Sequence, residues 1–271
     1  MYTTDEAIGL FIKGLDAVLN HPSLGEKWLA EYMPMVFKTY RVEEYLFSPS
    51  PELLQRIENY IQWCDGKRTE DAGQLMEEIA LLTFLSVKGE KSLKSFQSYG
   101  PQVDLSVTGS DGNWRILCSH LRIDWNQRTI CVEAKNINDK VDDQQFGRFC
   151  SIVEHMFRND CLVGVFFTRS GASGLPEESD TATSLTIRKR GLRDAAATQL
   201  LFHARTRKYV VVFDDLDIRS LTVRGSFVQV LNKKLRQVEE WTGLPSSFTE
   251  KYVEVDLPRH LRKHCGDSAA G

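Results

Sequence analysis

Thr129-Ile130-Cys131-Val132-Glu133-Ala134-Lys135 is the stretch whose reading decides the fold. Its first four residues are β-branched or apolar, which argues for a strand in a sheet interior rather than at an edge. Strand side chains alternate between faces, so Glu133 and Lys135 share one face while Ile130, Val132 and Ala134 share the other. A carboxylate and an ammonium are thereby held side by side at the carboxyl end of a rigid element, where α/β proteins place their chemistry.

Upstream, residues 103–108 read as a second strand with Asp104 near its start. A carboxylate from that strand beside Glu133 makes a pair able to hold a divalent metal next to a positive charge. That combination suits hydrolysis of a phosphodiester. Glu-x-Lys alone carries little, since composition gives a chain of this length about one such triplet by chance. The buried-strand context gives it weight.

Working outward, the first seventy or so residues read as helical. Thr4 and Asp5 supply a cap, and Ile8, Leu10, Phe11, Leu15, Val18 and Leu19 recur at helical spacing until His21-Pro22. Residues 26–40 form a second apolar-periodic stretch. Ser50-Pro51-Glu52 opens a third helix running to about Cys64. Residues 71–87 form an apolar, central helix carrying two acids, Glu77 and Glu78. After the strand at 103–108, Ser110-Asp111-Gly112-Asn113 has hairpin-turn chemistry, and residues 114–125 read as one or two further strands. Beyond Lys135, the pattern predicts a helix over 142–157, a buried strand over 162–167, and a loop over 171–183. A helix over 194–206, a strand over 209–213 and an amphipathic helix over 227–241 follow. The tail after Leu257 reads as disordered. This order predicts an α/β fold with a mixed sheet and helices on both faces.

The chain has 271 residues and a net charge of −3, with ordinary apolar and charged content. No apolar run approaches a membrane span. Met1-Tyr2-Thr3-Thr4-Asp5-Glu6 lacks the basic start of a signal peptide, so a cytoplasmic location is the default expectation. The six cysteines (Cys64, Cys118, Cys131, Cys150, Cys161 and Cys265) form no C-x-x-C pair, which argues against zinc and for reduced thiols acting as small hydrophobes. Arg188-Lys189-Arg190 with Arg193, after a Gly-rich loop, is the leading phosphate-contact candidate. His203, Arg205, Arg207 and Lys208 form a second basic cluster.

These motifs, taken in order, resemble the PD-(D/E)xK nuclease superfamily, and within it Mrr-like restriction endonuclease domains. The family's opening-helix glutamate in G-x-x-F-E is similar to Gly73-Gln74-Leu75-Met76-Glu77, with Met in the aromatic's place. Its strand-opening aspartate matches Asp104 in Pro101-Gln102-Val103-Asp104, where Gln102 and Val103 interrupt the Pro-Asp pair. Its E-x-K matches Glu133-Ala134-Lys135, followed by Asn136. The apolar strand before Ser170-Gly171-Ala172-Ser173-Gly174, and the strand ending in Asp214-Asp215, also look like the family. The likeness covers roughly Arg68 to Leu221.

The resemblance implies a restriction-endonuclease-like mixed central sheet. It implies that Asp104, Glu133 and the backbone carbonyl of Ala134 bind Mg²⁺, with Mn²⁺ as a substitute. Lys135 would then assist the attacking water, and Glu77 would support the site, with Glu78 as the competing acid. Gln144, followed by Gln145, would brace the site from the next helix. The organisation expected is a helical N-terminal region over 1–67, a nuclease domain over 68–222, a C-terminal helix and extension over 223–257 and a disordered tail over 258–271. The expected activity is Mg²⁺-dependent cleavage of DNA by an endonuclease, in prokaryotic restriction or antiviral defence. The sequence leaves open RNA or branched DNA as substrate, and a non-catalytic binding module on the same fold. It also leaves open a homodimer, and a protein partner or activator bound through the N-terminal region.

Overall fold

The computed structural model describes residues 6, 7, 9–11, 14, 41–69, 71–96, 103–135, 139–175 and 194–242. Of the expected first helix, residues 6, 7, 9–11 and 14 are described and are helical. The expected helix over 26–40, the cluster Arg188, Lys189, Arg190 and Arg193, and the tail beyond 257 lie outside the described residues.

Five strands form one sheet in the order β1-β2-β3-β4-β5: β1 (Glu90–Phe96), β2 (Val103–Gly109), β3 (Thr129–Lys135), β4 (Cys161–Thr168) and β5 (Tyr209–Phe213). Strand β2 runs antiparallel to both β1 and β3, and β3, β4 and β5 are parallel. The fold is therefore mixed α/β, with β3 at the junction of the two halves. Strand β1 was not anticipated, because Glu-Lys-Ser-Leu-Lys-Ser-Phe shows no apolar alternation.

Helices cover both faces. The side chains of Val132, Ala134, Val165, Phe167, Val211 and Phe213 share one core with α1 (Val42–Leu46), α2 (Pro51–Cys64), α3 (Ala72–Leu85), α4 (Gly112–Leu121), α7 (Asp215–Ser220) and α8 (Ser226–Thr242). The alternate strand residues Cys131, Phe166, Val210 and Val212 pack with α5 (Asp143–His155) and α6 (Ala195–Thr206). Helix α3 is less uniformly buried than its composition suggests, since Leu81 and Leu85 are exposed.

Short polar residues cap these helices. Ser50 accepts from Leu53 N–H, Asp71 from Gln74 N–H, Asp142 from Gln145 N–H and Asp194 from Ala197 N–H. The same chemistry corrects the reading of 110–125. Asp111 is an N-cap accepting from Trp114 N–H at 3.0 Å, and the residues after it form α4, ending at Arg122 in the left-handed conformation. Trp114, Leu117, Cys118 and Leu121 recur at helical spacing, and all four are buried. Strands β2 and β3 are thus joined by a helix and a 3₁₀ turn (Trp125–Gln127), not by a hairpin.

Gly164 lets α5 approach β4. A Cβ there would lie 2.9 Å from Phe149 Cε1 and 3.0 Å from Val153 Cγ2. That approach seats Phe149 edge-on against Phe166, 5.6 Å between ring centres. Phe166 is the register partner of Glu133, so the packing sets α5 beside the end of β3.

Candidate active site

The strand register explains how the acids meet. Leu105 pairs with Val132, and both belong to one core; Asp104 and Glu133 are each one residue beyond, so both project to the other face. There the ladder stops and the Asp104 side chain takes over: its Oδ2 accepts from Ala134 N–H at 2.7 Å. That bond fixes one carboxylate against the strand that carries the other.

Lys135 Nζ lies 3.5 Å from Glu133 Oε1. Glu133 is buried, 7% exposed, and its Oε2 has no hydrogen-bond partner. Burial, and after it the charge of Asp104, push the Glu133 carboxyl up to about 7, with Lys135 and Arg148 opposing. Burial also pushes Asp104 above the ordinary aspartate range, against the pull of the Ala134 N–H, Lys135 and Arg148. Two carboxylates are therefore forced together in a partly dry site, with too little positive charge to hold both ionised.

Glu77 and Glu78 separate cleanly. Desolvation, then the charges of Asp104 and Asp71, raises the Glu77 carboxyl, so Glu77 feels the site. Glu78 instead pairs with Arg56 at 2.8 Å, on the side of α3 that meets α2. Gln144 is exposed in the first turns of α5.

Arg148, one turn after Gln144 on α5, was missed. It is exposed, and its charge reaches both Asp104 and Glu133. Its i,i+4 relation to Gln144 is the sequence signal that could have found it. Thr168 was missed as well. It is the register partner of Lys135, fully buried, with an unpartnered Oγ1.

The second basic cluster is split: Arg205 and Arg207 are exposed, while Lys208 and His203 are buried. Lys208 is 5% exposed, and its Nζ donates to the carbonyls of Val153, Phe157, Arg158 and Cys161 at 2.6–3.3 Å, tying down the end of α5. His203 is buried, and its Nδ1 lies 3.1 Å from Lys208 O. Arg205 pairs with Glu154. Five described cysteines are free thiols, and four of them are buried.

The donor set fits a hard divalent cation. Among the described residues no group of three His, Cys, Asp or Glu side chains could hold an ion unaided. Magnesium, however, is commonly held by one or two carboxylates and keeps several waters. Asp104 and Glu133 supply two carboxylates, both raised by burial and the second also by the charge of the first, and an orphaned buried oxygen, Glu133 Oε2, has need of a partner. A cation would relieve both. No family model, curated protein or solved structure matches the chain. No described helix is long and apolar enough to cross a membrane.

Proposed function

We propose that the chain is a Mg²⁺-dependent nuclease that hydrolyses phosphodiester bonds in DNA, on a restriction-endonuclease-like sheet. The observation that supports this reading is the pairing of half-buried Asp104 with buried Glu133, whose carboxyl stays raised although Lys135 lies 3.5 Å away. Asp104, Glu133 and the Ala134 carbonyl would hold the ion, which when bound would polarise the phosphate and acidify a water.

The chain's own residues supply the rest. The Ala134 N–H holds the Asp104 carboxylate in place, so it need not reorganise when substrate arrives. Lys135, held near Glu133, offers a compact ammonium to the charge that develops on the phosphate. Arg148, exposed on α5, can fork onto two phosphate oxygens and set the register of the backbone. Glu77 adds a carboxylate at the rim, and Gln144 a neutral donor and acceptor beside Arg148. A prokaryotic restriction or defence role in the cytoplasm, a homodimer, and an activator acting through the N-terminal region belong to this proposal by analogy.

A panel of supercoiled, linear and branched DNA, single-stranded DNA and RNA, each with Mg²⁺ or Mn²⁺ and with EDTA, tests it. Metal-dependent cutting of DNA with internal breaks is the expected result. Cutting of RNA alone would replace the substrate, and inertness towards the whole panel would defeat the reading.

A further inference from the structure

Arg169 follows the last residue of β4, at the carboxyl end of the parallel strands. Open α/β sheets bind ligands outside that end. Its predecessor, Thr168, is the register partner of Lys135. Neighbouring strands lie about 4.8 Å apart, so Arg169 stands one strand over from Lys135 and one residue further out. Phe167, two residues earlier, belongs to the core that α2 and α3 cover, and Arg169 turns to that same side.

There its guanidinium lies over the indole of Trp63 on α2, 5.0 Å from the ring centre. Trp63 is stacked in turn with Tyr60, one helical turn earlier. Tyr60 is buried, and its hydroxyl donates to Asp215 Oδ1 at 2.8 Å. The aromatic platform is thus anchored in the core, and Arg169 rests on a fixed surface.

The acid beside Arg169 is engaged elsewhere. Asp215 N–H donates to Arg169 O, yet its carboxylate accepts from Tyr60 on one oxygen and from Arg219 Nε on the other, each at 2.8 Å. Among the described residues no carboxylate pairs with the Arg169 guanidinium. Stacking occupies the face of a guanidinium and leaves its in-plane N–H groups, a fork that matches two phosphate oxygens. Holding a half-buried charge without a counter-ion costs solvation, which a bound anion offsets.

We infer that Arg169, held by Trp63, forks onto a phosphate of the nucleic-acid substrate next to the one that Lys135 meets. A backbone crossing the carboxyl ends of β3 and β4 reaches Lys135 first and Arg169 next. Arg148 lies on α5, on the opposite face of the sheet, so two arginines bracket Asp104 and Glu133. The inference rests on the reading of the chain as a nuclease, and it is tested by binding rather than by cutting.

Labelled duplex DNA, single-stranded DNA and RNA are titrated with full-length chain in EDTA, so that nothing is cut, and anisotropy is followed across a salt series. Arg169→Ala should weaken binding about tenfold and lower the slope of log affinity against log salt by about one, the signature of one lost phosphate contact. Arg169→Lys should keep the slope and stay weakened, because an ammonium lacks the fork. Trp63→Leu should do the same, because the charge remains and its platform is gone. Thermal melts confirm that each variant is folded. Unchanged affinity and slope in Arg169→Ala would overturn the inference, as would absence of binding to all three nucleic acids by wild type. Plasmid cutting by wild type beside unchanged binding in Arg169→Ala would remove Arg169 alone. Binding through Arg169 by a wild type that never cuts would defeat the nuclease reading alone.

Discussion

Glu133→Gln should make the protein more stable at high pH and not at low pH. Glutamine mimics the protonated glutamate in shape and charge. The carboxyl of Glu133 is displaced from 4.5 to about 7. A raised folded-state value means that the folded chain binds more protons than the unfolded chain between those limits. Wild-type stability therefore falls as pH rises through that window. At about 1.4 kcal/mol per unit, the displacement corresponds to roughly 3 kcal/mol above pH 7, which the neutral variant recovers. For a domain of this size that is a rise of roughly 6–12 °C in melting temperature at pH 8 without divalent ions. Below about pH 4 the two proteins should melt together. Adding Mg²⁺ at pH 8 should stabilise wild type and leave Glu133→Gln nearly unmoved. Thermal melts by circular dichroism across pH 4–8, with and without Mg²⁺, read all of this. A variant destabilised at pH 8, or stabilised equally at every pH, would show that Glu133 is not held against its charge.

Other substitutions probe the frame around the site. Gly164→Ala forces a methyl against Phe149 and Val153 and should cost about 1–3 kcal/mol, read by urea denaturation; no loss would mean that α5 is not held by that close approach. Lys208→Met leaves four carbonyls, from the last turn of α5 through to the first residue of β4, without their donor and should cost about 3 kcal/mol or more by the same assay. Arg148→Ala should weaken substrate binding and cleavage while changing melting temperature little, because Arg148 is exposed; nuclease kinetics against a labelled duplex decide it, and unchanged kinetics would remove Arg148 from the site.

Much of this arrangement is written locally. The alternation in Thr129–Lys135 places Glu133 and Lys135 on one face, and the capping aspartates at 71, 142 and 194 mark where helices begin. What escaped the sequence depends on tertiary partners or on two codes that overlap. Asp111-Gly112-Asn113 carries turn chemistry and cap chemistry at once, and only the spacing of Trp114, Leu117, Cys118 and Leu121 tells which prevails. Glu77 and Glu78 look alike in sequence, and what distinguishes their surroundings is Arg56, which comes from another helix and engages Glu78, while the charge of Asp104 reaches Glu77. Lys208 sits in a basic run that resembles solvated surface, yet its long stem reaches a buried helix end. Arg148 became visible once packing had set α5 beside β3.

The most direct measurement is nicking of supercoiled plasmid with Mg²⁺ by wild type and Lys135→Ala at matched concentration, each first confirmed as folded by its melt. The account predicts nicking or linearisation by wild type that EDTA abolishes and that the variant loses. Equal cutting by both proteins would contradict it.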